Sequence, residues 1–373
     1  MRATRAIIHL ENLAYNLSNI TKLLPARTSV CVPVKADAYG HGAIPVARKA
    51  IALGATHLAV ATVGEGIELR DAGIRAPIIL LGIPHPDELD DLARAGLEAF
   101  VTDDEYAESL ARAARRAGVT ARVHLKIDSG MGRIGCTCGE ATRLAATIAE
   151  TAGVSLAGVA THLPVADSRA EDDIAYTERQ ISRFLEAVES IRKAGVDPGI
   201  VHAANSGGIL RHPSSHLDLA RPGIIAYGYL PDPALAGIVD LKPVMELETA
   251  IAAIRKVAAG TAVSYGRTWT AERDTVIATI PVGYGDGLPR RASPGLLVGV
   301  GGTARPVVGR ICMDQCMVDL GPDTSARRWD RVTVFGPAPA PHSAADIASL
   351  VGTIPYEITC NVNKRVPRAY VGE

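Results

Sequence analysis

Short apolar runs alternate with longer amphipathic stretches across residues 1–235. Eight such runs stand out: "SVCVPVK" at 29–35, "HLAVATV" at 57–63, "PIILLG" at 77–82, "EAFVTD" at 98–103, "RVHLKID" at 122–128, "LAGVATH" at 156–162, "IVHAANS" at 200–206 and "GIIAYG" at 223–228. Between them lie segments of helical period. "DEYAESLARAARRAG" from Asp104 has an acidic start and a glycine stop, and "TERQISRFLEAVESIRKAG" puts Ile181, Phe184, Leu185 and Val188 on one face. Strands that alternate with helices pair in parallel, and eight of them predict closure into a TIM-type (β/α)8 barrel, with an open doubly wound sheet as the other arrangement. After about residue 235 the texture changes to strand-like pieces such as "DTVIATIPVGYGDGLPR" and "DRVTVFGP", cut by Gly, Pro and Asp turns with hardly any helical period. An α/β architecture results, with the barrel over 1–235 and a C-terminal mostly-β domain over 236–373. The boundary is expected in "YLPDPALAG".

Composition narrows the function. Lys plus Arg number 39 against 40 Asp plus Glu, so a net charge of −1 gives no general attraction for nucleic acid or an anionic membrane. Hydrophobic residues at 47% and charged residues at 21% suit a soluble enzyme with a large core. The first residues lack a signal-peptide pattern and no apolar stretch approaches the roughly 20 residues of a membrane span, so a cytoplasmic protein is expected. The six cysteines form no CxxC pair and no zinc-type spacing, which favours buried or incidental thiols and no metal.

Barrel enzymes carry their chemistry at the C-terminal ends of the strands, and polar residues end these apolar runs repeatedly. Lys35 ends the first, Lys126 and Arg133 accompany the fifth, His162 ends the sixth, Asn205 and Ser206 end the seventh, and Arg221 with Gly223 opens the eighth. Singly, each has a plain alternative: His162 as a core histidine, Ser206 as a helix N-cap, Lys126 as a partner of Asp128. A lysine at a buried strand end loses hydration, and its neutral amine becomes able to form an imine with an aldehyde cofactor; the alternative is a side chain that snorkels from the barrel mouth. Ser206 and the unencumbered backbone N–H of Gly223 supply the elements of a phosphate site after strands seven and eight.

The segment "VPVKADAYGHG" resembles the cofactor-lysine signature of alanine racemases, which are fold-type III pyridoxal-phosphate enzymes. "LKIDSGMGRIG", "HAANSGG", "ARPGIIAYG", "VSYGRTW", "IPVGYGDGLPR" and "GRICMDQCMVDL" follow in the family's order. The resemblance implies racemisation of alanine with pyridoxal 5′-phosphate on Lys35, and the phosphate held by Tyr39, Ser206, Gly223, Ile224 and Tyr356. It sets Arg221 against the pyridine nitrogen, His202 behind that arginine, and His162 and Asn205 at the cofactor. Arg133 reaches cofactor and substrate carboxylate, and Lys126 matches a position often carbamylated. Two bases follow from the resemblance, Lys35 on one face of the substrate Cα and Tyr265 on the other. Tyr265 comes from the second subunit of a head-to-tail homodimer, with Met313 and Tyr284. The product D-alanine would supply peptidoglycan synthesis. The chain departs from the family pattern at Leu163 and Pro164, and again at Cys360, Asn361 and Lys364. A serine or broad-specificity racemase, a decarboxylase on the same architecture, and a non-catalytic pyridoxal-phosphate-binding barrel are the rivals. Without the resemblance, Tyr265 reads as a turn residue before Gly266.

Overall fold

A computed structural model describes residues 2–372. The apolar runs form parallel strands because each is buried on both faces, as barrel strands between a packed interior and a ring of helices must be. Ser29–Pro33, His57–Val60, Ile78–Leu80, Glu98–Val101, Ala121–Asp128, Val154–Ala160 and Ile200–His202 pair in that order, and Leu219–Ala220 pairs back onto Ser29–Val30. Backbone bonds from Asp218 N–H to Val201 C=O (3.1 Å) and from Arg221 N–H to Ala204 C=O (2.9 Å) join the seventh and eighth strands. The expected (β/α)8 barrel is therefore closed. Cys31, Ala59, Ile79, Phe100, Ala160 and Leu219 pack together inside it, while the alternate residues, such as Val32, Leu58 and Leu80, join the core under the helices.

Helix Asp104–Ala117 begins where predicted: the Asp103 carboxylate accepts from Tyr106 N–H at 2.8 Å, and Gly118 ends the helix in the left-handed conformation. In helix Glu171–Lys193, Ile181, Phe184 and Val188 are buried, but Leu185, at the edge of the stripe, is exposed.

Two expectations need correction. "GIIAYG" is no strand: Ile224–Tyr227 is a 3-10 turn, and the eighth strand is the two-residue Leu219–Ala220, too short to show a period. Arg221 and Gly223 thus follow the eighth strand instead of opening it, which moves them to the same barrel mouth as the other candidates. The chain also does not divide simply at residue 235. Arg5–His9 pairs antiparallel with Met245–Ala250 and parallel with Arg368–Val371 in the nine-stranded sheet of the C-terminal half. A short apolar run carries no mark of which sheet will take it.

The C-terminal half is mostly β, as expected, but it also carries helices Ala344–Val351 and Pro355–Asn361. The first has a capping box between Ser343 and Asp346. The second brings Tyr356 to the barrel mouth, its ring 5.9 Å from that of Tyr39.

Candidate active site

The strand Ser29–Pro33 leads straight into an unusual turn. Ala36, Asp37, Ala38 and Tyr39 are all left-handed, with φ between 51° and 55°. L-residues disfavour this by roughly 1–2 kcal/mol each, so the turn needs external support. Glu65 accepts from Ala36 N–H at 2.7 Å, and the same carboxylate holds Ala61 N–H at 2.7 Å. Asp37 accepts from Ala43 N–H at 2.7 Å, and Arg368 donates to the Gly40 carbonyl at 2.9 and 3.0 Å. Gly40 is required by contact as well as by φ, because a Cβ there would sit 2.1 Å from the Thr359 carbonyl oxygen. The result is that Lys35 and Tyr39 are aimed into the barrel mouth from a fixed mount.

A cavity of about 670 Å³ opens there, within the range of small-molecule sites. Lys35, Tyr39, Lys126, Arg133, His162, Asn205, Ser206, Arg221, Gly223 and Tyr356 all line it. Ile224 follows Gly223 and is fully buried, and His202 lies behind Arg221. Tyr265, Tyr284 and Met313 do not line the cavity and are exposed, Tyr265 by 70%. They share one surface of the β domain: Ser264 Oγ donates to the Arg310 carbonyl at 2.6 Å, while Tyr284 N–H and Gly285 N–H donate to the Cys312 and Met313 carbonyls at 3.1 and 2.8 Å. Tyr265 heads a 3-10 turn, with positive φ at Ser264 just before it and at Gly266 and Arg267 within it.

At one end of the cavity Ser206 Oγ accepts from Gly223 N–H at 3.0 Å, and a Cβ on Gly223 would stand 3.2 Å from the Tyr39 hydroxyl. Hydroxyls of Ser206 and Tyr39 and the Gly223 amide therefore converge. The N-cap of helix Ser206–Arg211 is Asn205, which accepts from Gly208 N–H at 3.0 Å and donates to the Leu163 carbonyl at 2.8 Å. Ser206 is thereby left free of the capping duty that its position suggested.

The charge of the site is strongly one-sided. Lys35, Lys126, Arg133 and Arg221 face the cavity, with Asp167 the lone carboxylate among its lining residues. Burial lowers the Lys35 amine below its usual range and Arg133 adds to the effect, with Glu65 opposing. Lys126 is pulled down to about 7, chiefly by burial and next by Arg221. Its alternative partner is otherwise engaged, since the Asp128 carboxylate accepts from the N–H groups of Gly130, Met131 and Gly132. Arg221 is buried, donating to His202 Nδ1 (2.8 Å) and to the Thr161 and Ala203 carbonyls (2.8 and 2.9 Å). Burial brings it to about 10, which leaves the guanidinium charged at neutral pH. His162 is held neutral, its pKa pushed well down by burial and then by Arg221.

Sequence reasoning missed Glu65, Phe100, Met131, Asp167 and Arg368. Phe100 lies in a strand-end run already singled out, so its inward face was there to be read; Glu65 and Arg368 act through backbone groups and leave no sequence signal.

The two halves of the chain match two family models, the alanine racemase N-terminal domain over residues 8–231 and the alanine racemase C-terminal domain over residues 244–370. That match places this barrel with its cationic mouth and this β domain among the amino-acid isomerases. The chain is 50% identical over 377 residues to the alanine racemase of Treponema denticola, spanning all of this chain and 99% of that protein. It is 47% identical over 380 residues to that of Treponema pallidum, covering both in full. Among solved structures, alanine racemase of Clostridium difficile 630 superimposes with a TM-score of 0.94 at 36% identity, covering 100% of this chain and 96% of that one. The enzyme of Bacillus anthracis, solved with bound L-Ala-P, gives 0.92 at 34% identity over 100% and 96%. The chain belongs to the alanine racemase family.

Proposed function

We propose that the protein interconverts L- and D-alanine using pyridoxal 5′-phosphate attached at Lys35. The observation that carries this reading is the cavity itself, where a depressed lysine, three further cations and a hydroxyl–amide cradle face one another. The donor set fits the cofactor: Tyr39, Ser206, Gly223, Ile224 and Tyr356 would hold its phosphate, and Arg221 its ring nitrogen, with His162 and Asn205 around it. When bound, the cofactor supplies an electron-withdrawing ring that acidifies the substrate Cα–H. Arg221 donates to the ring but does not protonate it, because a guanidinium holds its proton at working pH. By withholding that proton, Arg221 would favour brief deprotonation over side reactions.

Lys35, freed when substrate occupies the site, moves the proton on one face of Cα, and Tyr265 from a second copy of the chain moves it on the other. Arg133 binds the substrate carboxylate, with Tyr284 and Met313 of that copy closing the mouth. The exposure of these three residues in the single chain supports a head-to-tail homodimer with shared sites. Among the described residues no helix is long and apolar enough to cross a membrane. The reading places the enzyme in the cytoplasm, where its D-alanine enters peptidoglycan.

Turnover of L-alanine and L-serine in deuterated water tests the function. Alanine is expected to gain Cα deuterium as it racemises, with kcat/KM exceeding that for serine by about tenfold or more. Absence of exchange, or faster exchange of serine, would refute it.

Lys126 is proposed to carry a carbamate. Its neutral amine adds to carbon dioxide, forming an N–C bond and losing one proton to solvent, and the anion produced orients Arg133. In protein equilibrated with 13C-bicarbonate a carbamate carbon resonance is expected, lost in Lys126→Ala. Its absence from the parent protein between pH 7 and 9 sinks the assignment.

A further inference from the structure

The interior of a (β/α)8 barrel is ordinarily filled by branched aliphatic side chains. Here a polar chain occupies part of it. On the inward face of Glu98–Val101 the Glu98 carboxylate, 2% exposed, alternates with Phe100, and on Ala121–Asp128 the fully buried His124 alternates with Lys126. His124 Nε2 lies 2.9 Å from Glu98 Oε2, His124 Nδ1 lies 3.0 Å from His202 Nε2, and His202 Nδ1 lies 2.8 Å from Arg221 Nη1. Arg122 Nε closes the far end on Glu98 Oε1 at 2.6 Å. The hydrogen bonds thus run from the cavity wall to the opposite end of the barrel.

Their direction is fixed by valence. A guanidinium has only donors, so His202 Nδ1 must accept, and that ring carries its proton on Nε2. His124 Nδ1 must then accept from His202, which puts the His124 proton on Nε2, pointing at the Glu98 carboxylate. Both rings are neutral, and every bond in the chain points towards one acid. Two further facts agree. Burial depresses His202 far below the usual histidine range, with Arg221 adding to it, so it stays uncharged. Burial raises Glu98, but the hydrogen bonds it accepts from His124 and Arg122, with the Arg122 charge, pull it the other way and keep it ionised.

We propose that Glu98 and His124 are positioning residues for Arg221, the carboxylate locking both imidazole tautomers so that His202 can only accept and the guanidinium stays aimed at the cavity. The inference rests on the reading that Arg221 contacts the cofactor ring. Without an acceptor at position 98, His124 is free to exchange tautomers, His202 follows, and Arg221 meets an N–H where it needs a lone pair.

Nitrogen-15 histidine spectra of the cofactor-free protein at neutral pH decide the chain directly, with no need for the cofactor reading to hold. His124 and His202 are expected as neutral rings protonated on Nε2. A doubly protonated His124, or a proton on Nδ1 of either ring, overturns the proposal. In the loaded enzyme, Glu98→Leu is expected to lower kcat about tenfold with KM for alanine within about twofold, and to shift the visible absorption maximum. Glu98→Gln, whose amide oxygen still accepts from His124, restores both. A merely structural role would lower the melting temperature in Glu98→Leu while leaving the absorption maximum and the kcat-to-KM split as in the parent, and that result also overturns it.

Discussion

Lys35→Ala is expected to erase the visible absorption of the cofactor-loaded protein and to lower kcat/KM for alanine by more than about 10⁴-fold, because under the proposed function one side chain both attaches the cofactor and moves a proton. The mount explains why no neighbour substitutes for it. Four left-handed residues follow the lysine, and Glu65 on the Ala36 amide, Asp37 on the Ala43 amide and Arg368 on the Gly40 carbonyl fix the loop, so the amine cannot be replaced by a small shift. Lys35→Arg sharpens the test. It keeps a cation at the barrel mouth but cannot form an imine, so it should be as inactive as the alanine variant. Racemisation by Lys35→Arg would mean that the residue serves only as a charge. The direction of the Lys35 shift adds a pH expectation. A pKa below that of free lysine leaves more neutral amine at any given pH, so cofactor capture should persist to lower pH than it does for a solvent-exposed lysine, which a titration of the visible band measures.

Tyr265→Phe is expected to keep that band while racemisation falls by about 10²–10⁴-fold, the span usual for loss of a general acid–base group. The single chain leaves this tyrosine 70% exposed, between Ser264 and Arg267, whose positive φ values fix the turn that presents it. Mixing Lys35→Ala with Tyr265→Phe discriminates a shared site from two separate defects. In a two-fold dimer half of the randomly paired molecules are mixed, and each holds one intact site of two, so recovery should approach about a quarter of parental activity. No recovery, once subunit exchange is demonstrated, would rule out a site built across chains.

Much of this was legible in the sequence, for identifiable reasons. Seven barrel strands are largely buried on both faces and so read as mostly apolar runs, even where Glu98, His124 and Lys126 interrupt them. The eighth has two residues and vanished into "DLARPG", while the conspicuous "GIIAYG" turned out to be a buried 3-10 turn whose apolar residues pack without pairing. Lys35, Lys126, Arg133, His162, Asn205 and Ser206 were found because they end or closely follow strands, a position that parallel topology makes meaningful, whereas Tyr39 and Tyr356 came from the family resemblance alone. The supports were not found. Glu65 and Arg368 act on backbone groups, and nothing in the residue types of 36–39 announces left-handed geometry. His124 could have been seen: it stands two positions before Lys126, and period two puts both side chains on one face of a strand.

The left-handed turn at residues 36–39 also joins parts of the chain that lie far apart in sequence. Its outer wall is the Thr359 carbonyl and the guanidinium of Arg368, and Arg5–His9 is gripped between Met245–Ala250 and Arg368–Val371. The lysine mount lies near residue 40, yet beside the local ties to Glu65 and Asp37 it leans on Thr359 and Arg368. A change that loosens Arg368 is therefore felt 328 positions away, at the backbone just after the turn that carries Lys35.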